Sequence, residues 1–276
     1  MGLGTMVLLG SACLAEAPAI GDPAVPPDDD PRPLVLPSLM ECPTSATLPE
    51  RVRVATWNMS AGRIGGLGGV QEQIAALEAD VVLLQEVDVG VRRTGSVDQP
   101  RLLGEALGMQ YAFAAAVEFD GGDFGMAVLS DLPMSAAERI SLDSEGGYED
   151  RIAFDVTVCV GPRSLRLVDV HADFVPDVNE RNLVDLAQHI GSVEQTSTLL
   201  AGDFNATPET SGVMRVLEVT GAIDVFADRD PGPTREGERI DYVLASPSLD
   251  AVVVDVGRVP TESSDHTPLW VDLAIP

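Results

Sequence analysis

The sequence predicts an α+β domain in which two mixed, largely antiparallel sheets pack face to face with helices outside. Three observations predict it. Stretches with strand patterning outnumber those with helical patterning. Several strand-like runs adjoin through short turns with no helix between them, which disfavours a purely parallel sheet. The chain is 45% apolar over 276 residues. Without a leader and tail, roughly 225 residues remain, which suits one sizeable domain.

In chain order, "RVRVATW" (51–57) alternates like a strand. "GGVQEQIAALEAD" (68–80) reads as a helix with Val70, Ile74 and Leu77 on one face. "VVLLQEV" (81–87) is a buried strand and "QPRLLGEALG" (99–108) a short helix. "YAFAAAVEF" and "GMAVLS" flank a Gly/Asp turn at 120–123. "RIAFDVTVCV" and "SLRLVDVHADF" join at Gly161-Pro162 as a hairpin. "VNERNLVDLAQHI" is a helix with an apolar stripe of Leu183, Leu186, Ala187 and Ile190. Its polar face carries Asn182, Asp185 and a solvated His189. A strand "TSTLLAGDF", a helix over about 208–219 and the strands "RIDYVLA", "DAVVVDVG" and "TPLWVDLAI" complete the domain.

Ahead of it lie two other segments. "MGLGTMVLLGSAC" (1–13) is a short apolar run ending in small residues and Cys13. It resembles a secretory leader with a lipoprotein-type cleavage site, so export to the periplasm or medium is expected, with a membrane tether through lipidated Cys13. Residues 14–49, rich in Pro, Ala and Asp, read as a disordered tether. Cys42 and Cys159 either pair in an oxidising compartment or stay as two buried thiols.

The net charge is −27, and all 17 basic residues are arginine. A GC-rich genome accounts for this, as does adaptation to high salt. Either way, so acidic a surface repels a phosphate backbone and argues against a tight non-specific nucleic-acid binder. A bound divalent ion reverses the field locally.

Polar residues recur where apolar strands end: Asn58, Glu86, His171, Asp203 with Asn205, and Asp265 with His266; Asp241 interrupts "RIDYVLA". Each alone has a structural account, as a rim acid, a helix cap or a satisfied core histidine. Together they supply four carboxylates, two carboxamides and two imidazoles, which are hard oxygen ligands plus acid/base groups. No Cys/His cluster suggests zinc, and neither a Walker loop nor a Gly-x-Ser-x-Gly elbow is present.

The motifs "TWN", "LQE", "GDFN", "RIDYV" and "SDH", in this order across residues 50–276, resemble the endonuclease/exonuclease/phosphatase superfamily. That resemblance implies a DNase I-like four-layer α/β/β/α sandwich and phosphate-ester hydrolysis with Mg²⁺, or Mn²⁺ in its place. By the same resemblance Asn58, Glu86 and Asp265 form the metal side. Asp203 orients or deprotonates water, Asn205 donates to the phosphate, His266 with its orienter Asp241 stabilises a phosphate oxygen, and His171 is a second histidine. Tyr148 is a weak match to a phosphate-contacting tyrosine. Arg92, Arg93 and Arg151 are either surface residues or substrate-phosphate contacts.

Three functions fit. The first is an exported phosphoesterase acting on lipid head groups or small phosphate esters. The second is a secreted nuclease, with nucleic acid as substrate only. The third is a non-catalytic binding module. A monomer is expected.

Overall fold

The computed structural model describes residues 32–275. Its elements are β1 (Leu34–Val35), β2 (Arg51–Asn58), α1 (Gly66–Leu77), β3 (Val81–Val89), α2 (Gln99–Leu107), β4 (Gln110–Phe119), β5 (Gly122–Ser130), β6 (Met134–Ser141), β7 (Ile152–Val160) and β8 (Arg163–His171). Then follow α3 (Pro176–Ile190), β9 (Thr198–Asp203), α4 (Ser211–Thr220), β10 (Ile223–Asp224), β11 (Asp241–Ala245), α5 (Pro247–Asp250), β12 (Val253–Arg258) and β13 (Leu269–Ala274).

The strands form two sheets, ordered β1-β4-β5-β3-β2-β13-β12 and β10-β11-β9-β8-β7-β6. Among the described residues, only β2–β3 and β8–β9 pair in parallel. Parallel neighbours need a crossover, and α1 and α3 supply it. The two-sheet α+β sandwich expected from the sequence is the one observed. Strand alternation explains the layers. On β2, Val52 and Val54 face the other sheet, whereas Ala55 and Trp57 meet Val70, Ile74 and Leu77 of α1. On β8, Leu165 and Leu167 face inward, and Val168 and Val170 meet Leu183 and Leu186 of α3.

β6, over "MSAAERIS", escapes sequence reading because Ala, Ser and Glu have weak strand preference; pairing with β7 recruits it. The fourth helix starts at Ser211, three residues later than expected. Asn182 is not on the solvated face of α3: it is fully buried, accepting from Asp173 N and donating to Asp143 O, while His189 is exposed as expected.

The leader and Cys13 lie outside the described residues. The described part of the expected tether departs from disorder. Leu34–Val35 pairs with β4, Leu36 and Leu48 pack on the inter-sheet core, and Cys42 is disulfide-bonded to Cys159 of β7. The pairing alternative for the two cysteines is therefore the observed one. Leucines spaced among the prolines, invisible as a periodic pattern, give this segment its grip. No helix among the described residues is long and apolar enough to cross a membrane.

Candidate active site

The inward-facing rows of four strands end in polar residues at one edge of the sandwich. On β2, Val52 and Val54 give way to Thr56 and Asn58; on β8, Leu165 and Leu167 give way to Asp169 and His171. On β9, Leu199 and Ala201 precede Asp203, and antiparallel β11 brings Asp241 directly opposite it. His171 is the register partner of Asp203 on the other side.

Glu86 reaches this edge by a different device. Gln85 follows the inward row of Val81 and Leu83, so regular alternation would turn Glu86 outward. A bulge between Leu84 and Val87, with Glu86 at φ 54°, breaks the alternation. Ser60, Ala61 and Asn205 share positive φ values of 51°, 52° and 47°. Strain of this kind, about 1–3 kcal/mol per residue, concentrates where function fixes the backbone. Gly202 explains the glycine of "GDFN": its φ is 141°, and a Cβ there would lie 2.1 Å from Val170 O.

Asn58 joins the groups. Its Nδ2 donates to Glu86 Oε1 at 3.2 Å and Asp203 Oδ2 at 3.0 Å, and its Oδ1 accepts from Ser60 N. Ser60 Oγ donates to Asp265 Oδ1 at 2.6 Å, and Arg235 pairs with Asp265 Oδ2 at 3.0 Å. The "SDH" loop is fixed from beneath: Trp57 Nε1 donates to His266 O, and Ser264 Oγ donates to Asn58 O. His266 Nδ1 lies 3.0 Å from Asp241 Oδ2, and its Nε2 lies 3.6 Å from Asp203 Oδ2. Asn205 is held by N–H donation to Asp203 Oδ1 and by Nδ2 donation to Ala172 O.

Electrostatics follow from this burial. Burial alone would push His266 down, but the carboxylates of Asp241 and Asp203 outweigh it and lift the imidazole to about 9. Burial raises Asp203 to about 6, with Asp241 adding to the rise and the His266 charge opposing it. His171 is pushed well below 6.5 by burial first and then by Arg151, so it is a neutral imidazole. Among the described residues no carboxylate holds it as Asp241 holds His266. Arg151 Nη1 sits 3.0 and 3.1 Å from its two ring nitrogens, and Asp203 is 3.8 Å away.

Eight of the expected positions thus converge: Asn58, Glu86, His171, Asp203, Asn205, Asp241, Asp265 and His266. Arg151, 4% exposed, joins them beside His171. Arg92 and Arg93 do not join as free cations. Arg92 pairs with Asp120. Arg93 grips the fully buried Asp88 with two hydrogen bonds and packs over Phe119 and Phe124. The buried acid in "EVDVGVRR" needed a cation, and that need decides the arginine's place.

Several neighbours were not legible beforehand. Glu149 pairs with Arg151 at 3.1 Å, and Arg63 with Glu86 at 3.4 Å. Tyr148, 75% exposed, does not enter the polar cluster; it meets Phe174 at 5.5 Å between ring centroids, giving an exposed aromatic pair. Its backbone N–H is held by Asp173, whose carboxylate is 3.9 Å from Arg151. The pair therefore borders the polar cluster. Glu149 had a signal in "YEDR"; the aromatic pair and Arg235 had none, because loops far apart in sequence create them.

A two-sheet sandwich with acids, amides and imidazoles at one mouth defines a phosphate-ester hydrolase class of site. The profile of the Endonuclease/Exonuclease/phosphatase family matches residues 55–266, and the chain belongs to that family. Members are hydrolases acting on phosphate esters. No curated protein matches the chain. Among solved structures it is similar to an endonuclease/exonuclease/phosphatase from Beutenbergia cavernae DSM 12333, with 23% identity, TM-score 0.69 and coverage of 82% of this chain and 72% of that one. It is also similar to an AP endonuclease from Archaeoglobus fulgidus (19% identity, TM-score 0.60, 81% and 100% covered). The human Nocturnin catalytic domain with bound sulfate is a third (20% identity, TM-score 0.61, 89% and 97% covered). At these identities the likeness shows the fold.

Family enzymes typically use divalent metals. The residues here fit such an ion. Glu86 and Asp203 meet across the Asn58 amide, and Asp265 lies one hydroxyl further on. Hard oxygen donors in excess of nearby cations suit Mg²⁺ or Mn²⁺.

Proposed function

We propose that the protein is an exported, Mg²⁺-dependent phosphoesterase that hydrolyses a lipid head group or small phosphate ester by attack of water. The convergence of the eight polar residues on one rigid edge carries this reading. A phosphoester resists water because charge accumulates on its non-bridging oxygens, so a site must supply both a base and electrostatic relief.

Asp203, lifted to about 6, is ionised at neutral pH yet basic enough to take the proton of the attacking water. Asn205, one residue beyond Phe204, offers an amide to a non-bridging oxygen. His266, held as an imidazolium by Asp241, neutralises or protonates the oxygen that gains charge. Arg151, with neutral His171 against it, adds a fixed positive charge on the opposite side. Glu86, Asn58 and Asp265 would hold the metal ion, which when bound polarises the phosphoryl oxygens and lowers the pKa of water.

Export is supported by the leader-like N-terminus and by the disulfide, which persists in oxidising compartments. Small or zwitterionic substrates are supported by the net charge of −27, which repels long polyanions. The test is Mg²⁺-dependent nicking of supercoiled plasmid beside hydrolysis of an aryl phosphodiester, with wild type, His266→Ala and a chelator blank. Aryl ester turnover without nicking is the expected result. Nicking by wild type alone would make the protein a nuclease, and no turnover of either would refute catalysis.

A further inference from the structure

One layer beneath the catalytic edge, the space between the sheets holds a polar cluster that the chemistry above does not use. Thr56, Gln85 and Asp169 are 1%, 0% and 0% exposed. Each precedes a site residue. Thr56 lies two residues before Asn58 on β2, Asp169 two before His171 on β8, and Gln85 immediately before Glu86 at the bulge. Gln85 Nε2 donates to Thr56 Oγ1 at 3.0 Å and to Asp169 Oδ1 at 2.5 Å. That second bond crosses from one sheet to the other. The register partner of Asp169 on β9 is Ala201, whose small side chain leaves room for it.

The cluster leaves two buried atoms without a partner: Gln85 Oε1 and Asp169 Oδ2. Both are acceptors when Asp169 is ionised. A buried carboxylate is costly without a cation, and the partners of Asp169 are a carboxamide and the Val170 backbone amide. Burial pushes its carboxyl well above the ordinary range, against the opposing effect of those hydrogen bonds. A proton on Oδ2 supplies the donor that Gln85 Oε1 lacks. Acid and amide then exchange two hydrogen bonds, and both orphans disappear.

We infer that Asp169, as an uncharged carboxylic acid paired with Gln85, which Thr56 in turn holds, is an inter-sheet strut that positions Glu86 against Asp203. Glu86 belongs to one sheet, Asp203 and His171 to the other, and within the site Asn58 bridges Glu86 and Asp203. The strut is a second bridge one layer below. It fixes the residue preceding the strained φ 54° of Glu86, so it sets how far the metal side stands from the water-activating side. These are positioning residues and touch no substrate. The inference rests on the proposed metal-dependent hydrolysis, yet its protonation part is readable without turnover.

The experiment compares wild type with Asp169→Asn, Asp169→Leu and Gln85→Met. Infrared spectroscopy at mildly alkaline pH, where ordinary carboxyls are ionised, reads the protonation. A protonated-carboxyl C=O band in wild type that vanishes in Asp169→Asn is expected. Calorimetric Mn²⁺ binding and the kcat and KM of the ester assay read the positioning. Asp169→Asn, which keeps both hydrogen bonds without a charge, should retain kcat and Mn²⁺ affinity within about threefold. Asp169→Leu and Gln85→Met should weaken Mn²⁺ binding and lower kcat by about 10- to 100-fold, the usual loss when groups orienting metal ligands are removed, with KM little changed. Gln85→Met provides the readout should Asp169→Leu not fold. Absence of the infrared band, or loss in Asp169→Asn equal to that in Gln85→Met, would overturn the uncharged acid. Unchanged Mn²⁺ affinity and kcat in Gln85→Met would overturn the strut. Failure of wild type to hydrolyse any ester would refute the proposed function instead, leaving the band and Mn²⁺ binding as the measures of the strut.

Discussion

Replacing Asp241 with Asn removes one charge and nothing else of comparable size. In the wild type, His266 Nδ1 and Asp241 Oδ2 are 3.0 Å apart, with both side chains nearly fully buried. Raising an imidazole from 6.5 to about 9 corresponds to roughly 3 kcal/mol of preference for its charged form. Asp241 is the largest of the groups that raise it. Deleting that charge should drop His266 by about one to two pH units, the usual effect of one close opposite charge. Asp241 also raises Asp203, so its loss should make Asp203 more acidic. The pH–rate profile of kcat for an aryl phosphodiester should show, in the wild type, an acid limb near the Asp203 value of about 6 and an alkaline limb near the His266 value of about 9. Both limbs should move to lower pH in Asp241→Asn, and the plateau rate should fall by about 10²-fold. The stability signs differ for the two groups. His266, raised on folding, contributes stability that is full below 6.5 and lost as pH rises through about 9. Asp203, also raised, costs stability as pH rises from 3.8 to about 6, a lower window. Chelator-treated wild type should therefore lose stability between pH 6.5 and 9, and the variant should lose less of it there. An alkaline limb that stays put in Asp241→Asn would refute the assignment of His266 as the charged group.

Three further outcomes follow from packing. Arg93→Ala leaves Asp88, which is fully buried, without its cation, and should cost about 3 kcal/mol in denaturant unfolding with KM little changed; a large KM effect without destabilisation would instead restore Arg93 as a substrate contact. Reducing Cys42–Cys159, which closes a 117-residue separation, should cost about 2–4 kcal/mol by thermal unfolding while kcat at low temperature holds. The double change Tyr148→Ala/Phe174→Ala should raise KM several-fold for esters with a bulky apolar group and leave kcat for the smallest esters intact, since the pair borders the site without entering it.

Most strand and helix positions, though not β1 or β6, are legible because buried faces impose period two or 3.6 on the sequence, and the apolar stripes of α1 and α3 fall where the pattern puts them. The polar ends of β2, β8, β9 and β11 were legible for the same reason: an acid or amide closing an inward apolar row breaks a rule that the core otherwise obeys. Sequence also sufficed for the family, since five short motifs keep their order across the domain. What it could not decide was anything that depends on two distant segments meeting. The bulge that turns Glu86 inward, the capture of Arg93 by Asp88, the grip of residues 34–48 on the core and the Gln85–Asp169 bond between sheets are of this kind. Periodicity records which way a side chain faces along its own strand. Only the packed sandwich sets which opposite charge or hydrogen-bond partner stands across from it, because desolvation makes those pairings decisive only after the two sheets close.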